Sequence, residues 1–157
     1  MGGKPSDVGH NTERLIAFDP GKDTGVAVIH TNKRRLISLD WEIVRGLNEL
    51  MSYLNNLKTS DYDLVVMEKY RLYRHLALQQ SGSTMEVAQA EGMIKLWANQ
   101  KLPLYVQPAN ILPIAVKYTK MPLPKNHKNS HGVAALNHGY YWLVKYGLIG
   151  VIGNGKD

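Results

Sequence analysis

The sequence predicts one α/β domain built on a five-stranded mixed sheet with helices on both faces. Three observations predict it. Three strand-like apolar runs open the chain with only turns between them. Stretches with helical periodicity then alternate with two further apolar runs. With 157 residues and 44% apolar content, there is material for one well-buried core and little for a second domain. An opening meander followed by alternating helices and strands implies a mixed sheet, because parallel neighbours need helical crossovers.

The elements follow in order. Residues 1–13 carry no apolar period and are expected to be a disordered tail. Residues 15–18 form a short apolar run stopped by Asp19-Pro20-Gly21, the mark of a buried strand ending in a turn. Residues 22–25 read as that turn, and 26–29 and 36–41 as the second and third strands. In 45–58 the apolar residues Leu47, Leu50, Met51, Leu54 and Leu57 recur at helical spacing. A fourth strand is expected at 64–67. Residues 69–80, basic and aromatic without a clean period, read as a loop. Ser83-Thr84-Met85-Glu86 is a capping-box pattern opening a helix to about residue 100. Residues 104–106 make a fifth strand, and 108–118 a short helix broken at Pro113. Ser130 caps a last helix that ends near Tyr146, closed by Gly147. The domain is thus expected over 14–147, with 148–157 as a C-terminal tail.

Composition excludes several classes. There is no cysteine, so neither a disulfide framework nor a thiolate metal site can form. No window approaches the length of an apolar membrane span, and the polar, Gly-rich start is unlike a signal peptide. Met1-Gly2-Gly3-Lys4-Pro5-Ser6 fits the loose myristoylation pattern, but nothing else suggests an anchor. The expectation is a soluble, cytoplasmic protein without a membrane partner. Net charge is +6, and no Asp or Glu occurs between Glu91 and Asp157. That half is purely cationic. Lys117, Lys120, Lys125 and Lys128 crowd a Pro-rich stretch beside Tyr118 and His127, which suits phosphate contact as well as a solvated basic face.

Asp19 and Glu68 carry the candidate chemistry. Each follows a buried apolar strand. Alone, Asp-Pro-Gly is an ordinary turn and Glu68 could pair with Lys69 or Arg71. If the first and fourth strands are parallel neighbours, however, both carboxylates emerge together at a natural cation site. His131, Ala134 and His138 share one face of the last helix, although a histidine there is more often a satisfied polar residue than a ligand. Lys69, Arg71 and Arg74 interleave Tyr70 and Tyr73 next to Glu68, so the tyrosines are candidates for stacking on bases and the cations for phosphates.

Taken together, these motifs resemble a family. Residues 16–21 with Thr24-Gly25 resemble the first motif of RuvC-like Holliday junction resolvases, and Val65-Val66-Met67-Glu68 the second strand motif. Residues 89–92 through 101–104 resemble the helix and strand that follow, and 131–138 the family's final His-x-x-Asp-Ala helix. The match spans 14–147. It implies an RNase H-like fold, magnesium (or manganese) held by Asp19, Glu68 and His131, a homodimer, and four-way or otherwise branched DNA as partner. Position 134, where the pattern has a catalytic aspartate, is alanine. Two-ion hydrolysis needs that ligand, and no acid in 92–156 replaces it.

The sequence therefore predicts a structure-selective endonuclease inactivated at Ala134. The substitution is either one introduced to hold uncut DNA, which the otherwise intact motif favours, or a natural feature of a non-cleaving junction-binding relative. A third reading, a fragment of a sugar-kinase-like or actin-like ATPase, shares the Asp-x-Gly turn. It would need a second domain around a cleft, for which the chain is short.

Overall fold

Leu15, Ile16, Ala17 and Phe18 have no solvent exposure, as befits an apolar run at the middle of a sheet covered on both faces. They belong to β1 (Arg14–Asp19). β2 (Asp23–Asn32) and β3 (Arg35–Arg45) complete the antiparallel meander. After α1 (Leu47–Asn56) come β4 (Leu64–Lys69), α2 (Ala77–Ala98), β5 (Leu104–Pro108), α3 (Leu112–Thr119) and α4 (His127–Lys145). The structure, a computed structural model, describes residues 13–69, 77–99, 101–124 and 127–146, the side chains of 77–84 and 127–129 excepted.

The five strands lie in the order β3-β2-β1-β4-β5, with β4 parallel to β1 and β5 parallel to β4. Strand alternation divides the core. Leu15 and Ala17 of β1 and Leu64 and Val66 of β4 pack with Ala135, Leu136, Trp142 and Leu143 of α4. Ile16, Phe18, Val65 and Met67 face Leu50 and Leu54 of α1 and Ala90 and Ile94 of α2 on the other side. Helices therefore cover both faces. Among the described residues no helix is long and apolar enough to cross a membrane.

Several boundaries differ from the sequence-based expectation. β2 begins at Asp23, inside the expected turn, and β3 runs on to Arg45, because cross-strand pairing carries polar residues that have no apolar period of their own. α2 begins by Ala77, so Ser83 lies within the helix and does not open it. Leu78, Gln79 and Gln80 are good helix formers and extend it upstream. Ser130 is likewise inside α4. Pro113 sits in the first turn of α3, where a missing N–H costs nothing, so it starts that helix and does not break it. Glu13 belongs to the fold, since its N–H donates to the Asp63 carboxylate at 2.9 Å. Residues 1–12, the remainder of the expected tail, lie outside the described residues, as do Gly147 and the C-terminal tail.

Candidate active site

The period of a strand decides which way its last residue points. In β1 the residues facing α4 are Leu15 and Ala17, so Asp19 comes next on that face. In β4, Leu64 and Val66 are followed by Glu68, and in β5, Tyr105 is followed by Gln107. The parallel register pairs Phe18 with Met67 and Glu68 with Gln107. Asp19, Glu68 and Gln107 therefore form a row across the carboxyl ends of three parallel strands, beneath α4.

α4 supplies an imidazole to each carboxylate. His131 Nδ1 lies 2.8 Å from Asp19 Oδ2. His138, two turns on, sets Nε2 2.9 Å from Glu68 Oε2 and Nδ1 2.8 Å from Gln107 Oε1. Close approach of the helix makes this possible. A Cβ on Gly25 of β2 would overlap the His131 carbonyl oxygen, and one on Gly139 would fall 2.8 Å from Leu15 Cδ2. Both positions need glycine for space. The middle of α4 is further tied by Asn137, wholly buried, whose Nδ2 donates to the carbonyls of Met121 at 3.0 Å and Val133 at 2.9 Å. Thr119 donates its hydroxyl proton to Asn137 Oδ1.

A pocket of about 470 Å³ opens over this row, with Asp19, Glu68, His131 and Ala134 on its lining and Lys22 at its side. Val87, Leu112 and Leu123 are the larger apolar side chains of its lining. Burial is the largest influence on Asp19 and lifts its carboxyl from 3.8 to about 6; the His131 hydrogen bond pulls it back and the Glu68 charge adds to the rise. His131 moves above its ordinary 6.5, first through its hydrogen bond to Asp19, against the opposing effect of burial. Each shift reports the same pair: a carboxylate held in a poorly solvated place and an imidazole that favours its charge.

Comparison with known proteins adds the following. No protein-family model matches the chain, and no curated protein matches it. Among solved structures, the chain is similar to the resolvase of fowlpox virus, crystallised in complex with substrate Holliday junction DNA. Identity is 16%, the match covers 84% of this chain and 97% of that one, and the TM-score is 0.48. The strand order, with β2 alone running against the other four, makes the five-stranded mixed sheet expected from the sequence.

On this mixed sheet, Asp19, Glu68, His131 and Ala134 meet at one pocket. Among the described residues no three acidic or imidazole groups converge as a ready-made metal cluster; His131 reaches Asp19 itself. The donor set suits one magnesium ion, a hard cation commonly held by one or two carboxylates with water and substrate phosphates completing its shell. Ala134 brings no donor for a second. Lys69, Lys117 and Lys120 are exposed, Lys120 in the left-handed cap of α3 at φ 54°. Tyr70, Arg71, Tyr73, Arg74 and Lys125 lie outside the described residues, as does the side chain of Lys128.

Three participants escape a reading of the sequence alone. Lys22 reads there as a turn residue, although a cation directly after Asp-Pro-Gly is a usable signal. His138 shares the His131 face but gives no sign of reaching Glu68. Gln107, in a strand recognised only by Leu104-Tyr105-Val106, has no signal beyond its parity with Tyr105.

Proposed function

We propose that the chain is a structure-selective DNA endonuclease of the Holliday-junction-resolving kind, built to hydrolyse phosphodiesters in branched DNA with magnesium, or manganese, as cofactor, and inactivated in this sequence by alanine at position 134. The observation that carries this is the placement of Asp19 and Glu68 side by side at the ends of adjacent parallel strands, open to a pocket and each bonded to an imidazole of α4. The motif resemblance and the acid-free cationic half point to the same class.

Asp19 and Glu68 would hold the cation through the oxygens not engaged by histidine. A bound divalent ion supplies charge stabilisation at a phosphoryl group and acidifies water. His131 orients Asp19 through Nδ1 and lines the pocket, where its other ring nitrogen could align an attacking water. Lys22 at the pocket side, and Lys69, Lys117 and Lys120 further out, suit phosphate contacts that position the strand without reading its sequence. Lys125, Lys128, Arg71 and Arg74 extend that cationic track in sequence, and Tyr70 and Tyr73 are suited to stack on a base exposed at the branch. A homodimer would set two such sites on a four-way junction, acting in the cytoplasm.

Ala134 favours a second reading, a junction-binding protein that does not cut. With no donor at this position, α4 brings no carboxylate to the pocket, and the remaining acid on its lining, Asp23, is paired with Arg45, so the shortfall falls on cleavage and leaves binding intact. The test is a gel shift of labelled four-way junction against linear duplex in magnesium-free buffer, with ATP titrated calorimetrically in parallel. Preference for the junction is expected. Equal affinity for both DNAs, or ATP binding without DNA binding, overturns the proposal.

A further inference from the structure

Both carboxylates of the site are bonded to an imidazole, yet the two imidazoles differ in kind. The His131 side chain is 40% exposed and that of His138 is 0% exposed. Among the described residues His131 is hydrogen-bonded to Asp19. His138 bridges two: Nε2 lies 2.9 Å from Glu68 Oε2 and Nδ1 2.8 Å from Gln107 Oε1. Glu68 and Gln107 are register partners on β4 and β5. The ring is therefore engaged at both nitrogens between two strands, with no solvent exposure of its own.

We propose that His138 and Gln107 are positioning residues for Glu68, engaging Oε2 so that Oε1 is presented to a divalent cation in the pocket. The inference rests on the reading of Glu68 as a cation ligand. Its physical basis is that a glutamate has three side-chain torsions and, at a pocket mouth, many orientations. A hydrogen bond from a locked partner removes most of them before the cation arrives. Gln107 supplies the lock, because an imidazole held only through Nε2 could still swing about its Cβ–Cγ bond. A purely structural role, tying α4 to the sheet, is already filled by the apolar contacts of Ala135, Leu136 and Leu143 with β1, β2 and β4. A polar bridge at that depth serves the carboxylate. The pair matters more here than it would beside an acid at position 134, because α4 carries no carboxylate of its own.

The experiment measures Mn²⁺ affinity of the whole chain, without DNA, by the loss of the free-ion electron paramagnetic resonance signal. The parent is compared with His138→Leu, His138→Gln and Gln107→Leu, and thermal unfolding is followed in parallel. Removing an outer-shell partner typically weakens metal affinity by about 10–100-fold, and that loss is expected for His138→Leu. His138→Gln, whose amide can still donate to Glu68, should stay close to the parent, and Gln107→Leu should fall between. A structural role would lower the melting temperature of both His138 variants without separating their Mn²⁺ affinities. If His138→Leu does not fold, Gln107→Leu, which leaves the imidazole in place, decides the matter. A folded His138→Leu or Gln107→Leu that binds Mn²⁺ as tightly as the parent overturns the positioning role and leaves the junction-cleaving proposal standing. A parent that binds no Mn²⁺ removes the cation site itself, and this inference with it.

Discussion

His131 Nδ1 and Asp19 Oδ2 lie 2.8 Å apart although 112 residues separate them in the chain. Burial makes the carboxylate costly and raises the Asp19 carboxyl to about 6; the hydrogen bond raises His131 above 6.5. Both folded-state values stand above their unfolded ones, so the folded protein binds more protons than the unfolded chain. The stability these groups contribute is full below about pH 4 for Asp19 and below about 6.5 for His131, and is lost as pH rises through the folded values. Asp19→Asn removes the carboxyl and with it the cause of the His131 shift. Thermal unfolding from pH 4 to 8 should therefore show the variant gaining on the parent as pH rises, and an NMR titration should show the His131 pKa falling. An unchanged His131 titration would contradict the pairing.

Ala134→Asp should create or restore metal-dependent cleavage. Position 134 is 4% exposed and lines the pocket with Asp19, Glu68 and His131, so a short carboxylate there would face both acids. Without metal, a third buried carboxylate should lower the melting temperature, since like charges in a poorly solvated place repel. Magnesium should recover it. The activity assay uses labelled four-way junction with magnesium, beside the parent and an Ala134→Asp, Asp19→Asn double variant. Symmetric nicks in the single variant alone are expected. A folded, junction-binding Ala134→Asp protein that cuts nothing with magnesium or manganese would make the non-cleaving reading the better one.

Gly25→Ala should disturb the site from beneath. The new methyl would meet the His131 backbone within van der Waals radii, and backbone on both sides leaves little room to relax. Overpacking of this kind costs about 1–3 kcal/mol. Urea unfolding should show that loss, together with a weakened Asp19–His131 pair seen as a lower His131 pKa. A variant as stable as the parent would mean that α4 sits higher above β2 than described.

Lys117 and Lys120 are exposed at the end of α3, and Lys125 and Lys128 follow in sequence. If they touch phosphates, alanine at all four should weaken junction binding. The slope of log affinity against log salt should flatten by about 1 for each phosphate-bound lysine replaced. Fluorescence anisotropy across a salt series reads this directly, and an unchanged slope rejects the surface.

Much of the site was visible in local pattern. Each acid closes an apolar run of the right length, and strand parity aims Asp19 and Glu68 at the same face. The histidines at 131 and 138 share a helix face because seven residues make about two turns. Hidden were the depth of α4 and the row that Gln107 joins. Those depend on the β4–β5 register and on clearance at Gly25 and Gly139, which are set by contacts between distant segments.

The sequence by itself therefore determined the α/β class, the apolar core, the two acids and the alanine where a third was expected, since all of these are written in residue identity and short-range period. Tertiary structure alone decided which imidazole meets which carboxylate. His131 went to Asp19, and His138, bridging to Gln107, went to Glu68. The reason is physical: hydrogen bonds at 2.8–2.9 Å depend on helix placement to within a fraction of an ångström, and that placement comes from packing across the whole sheet.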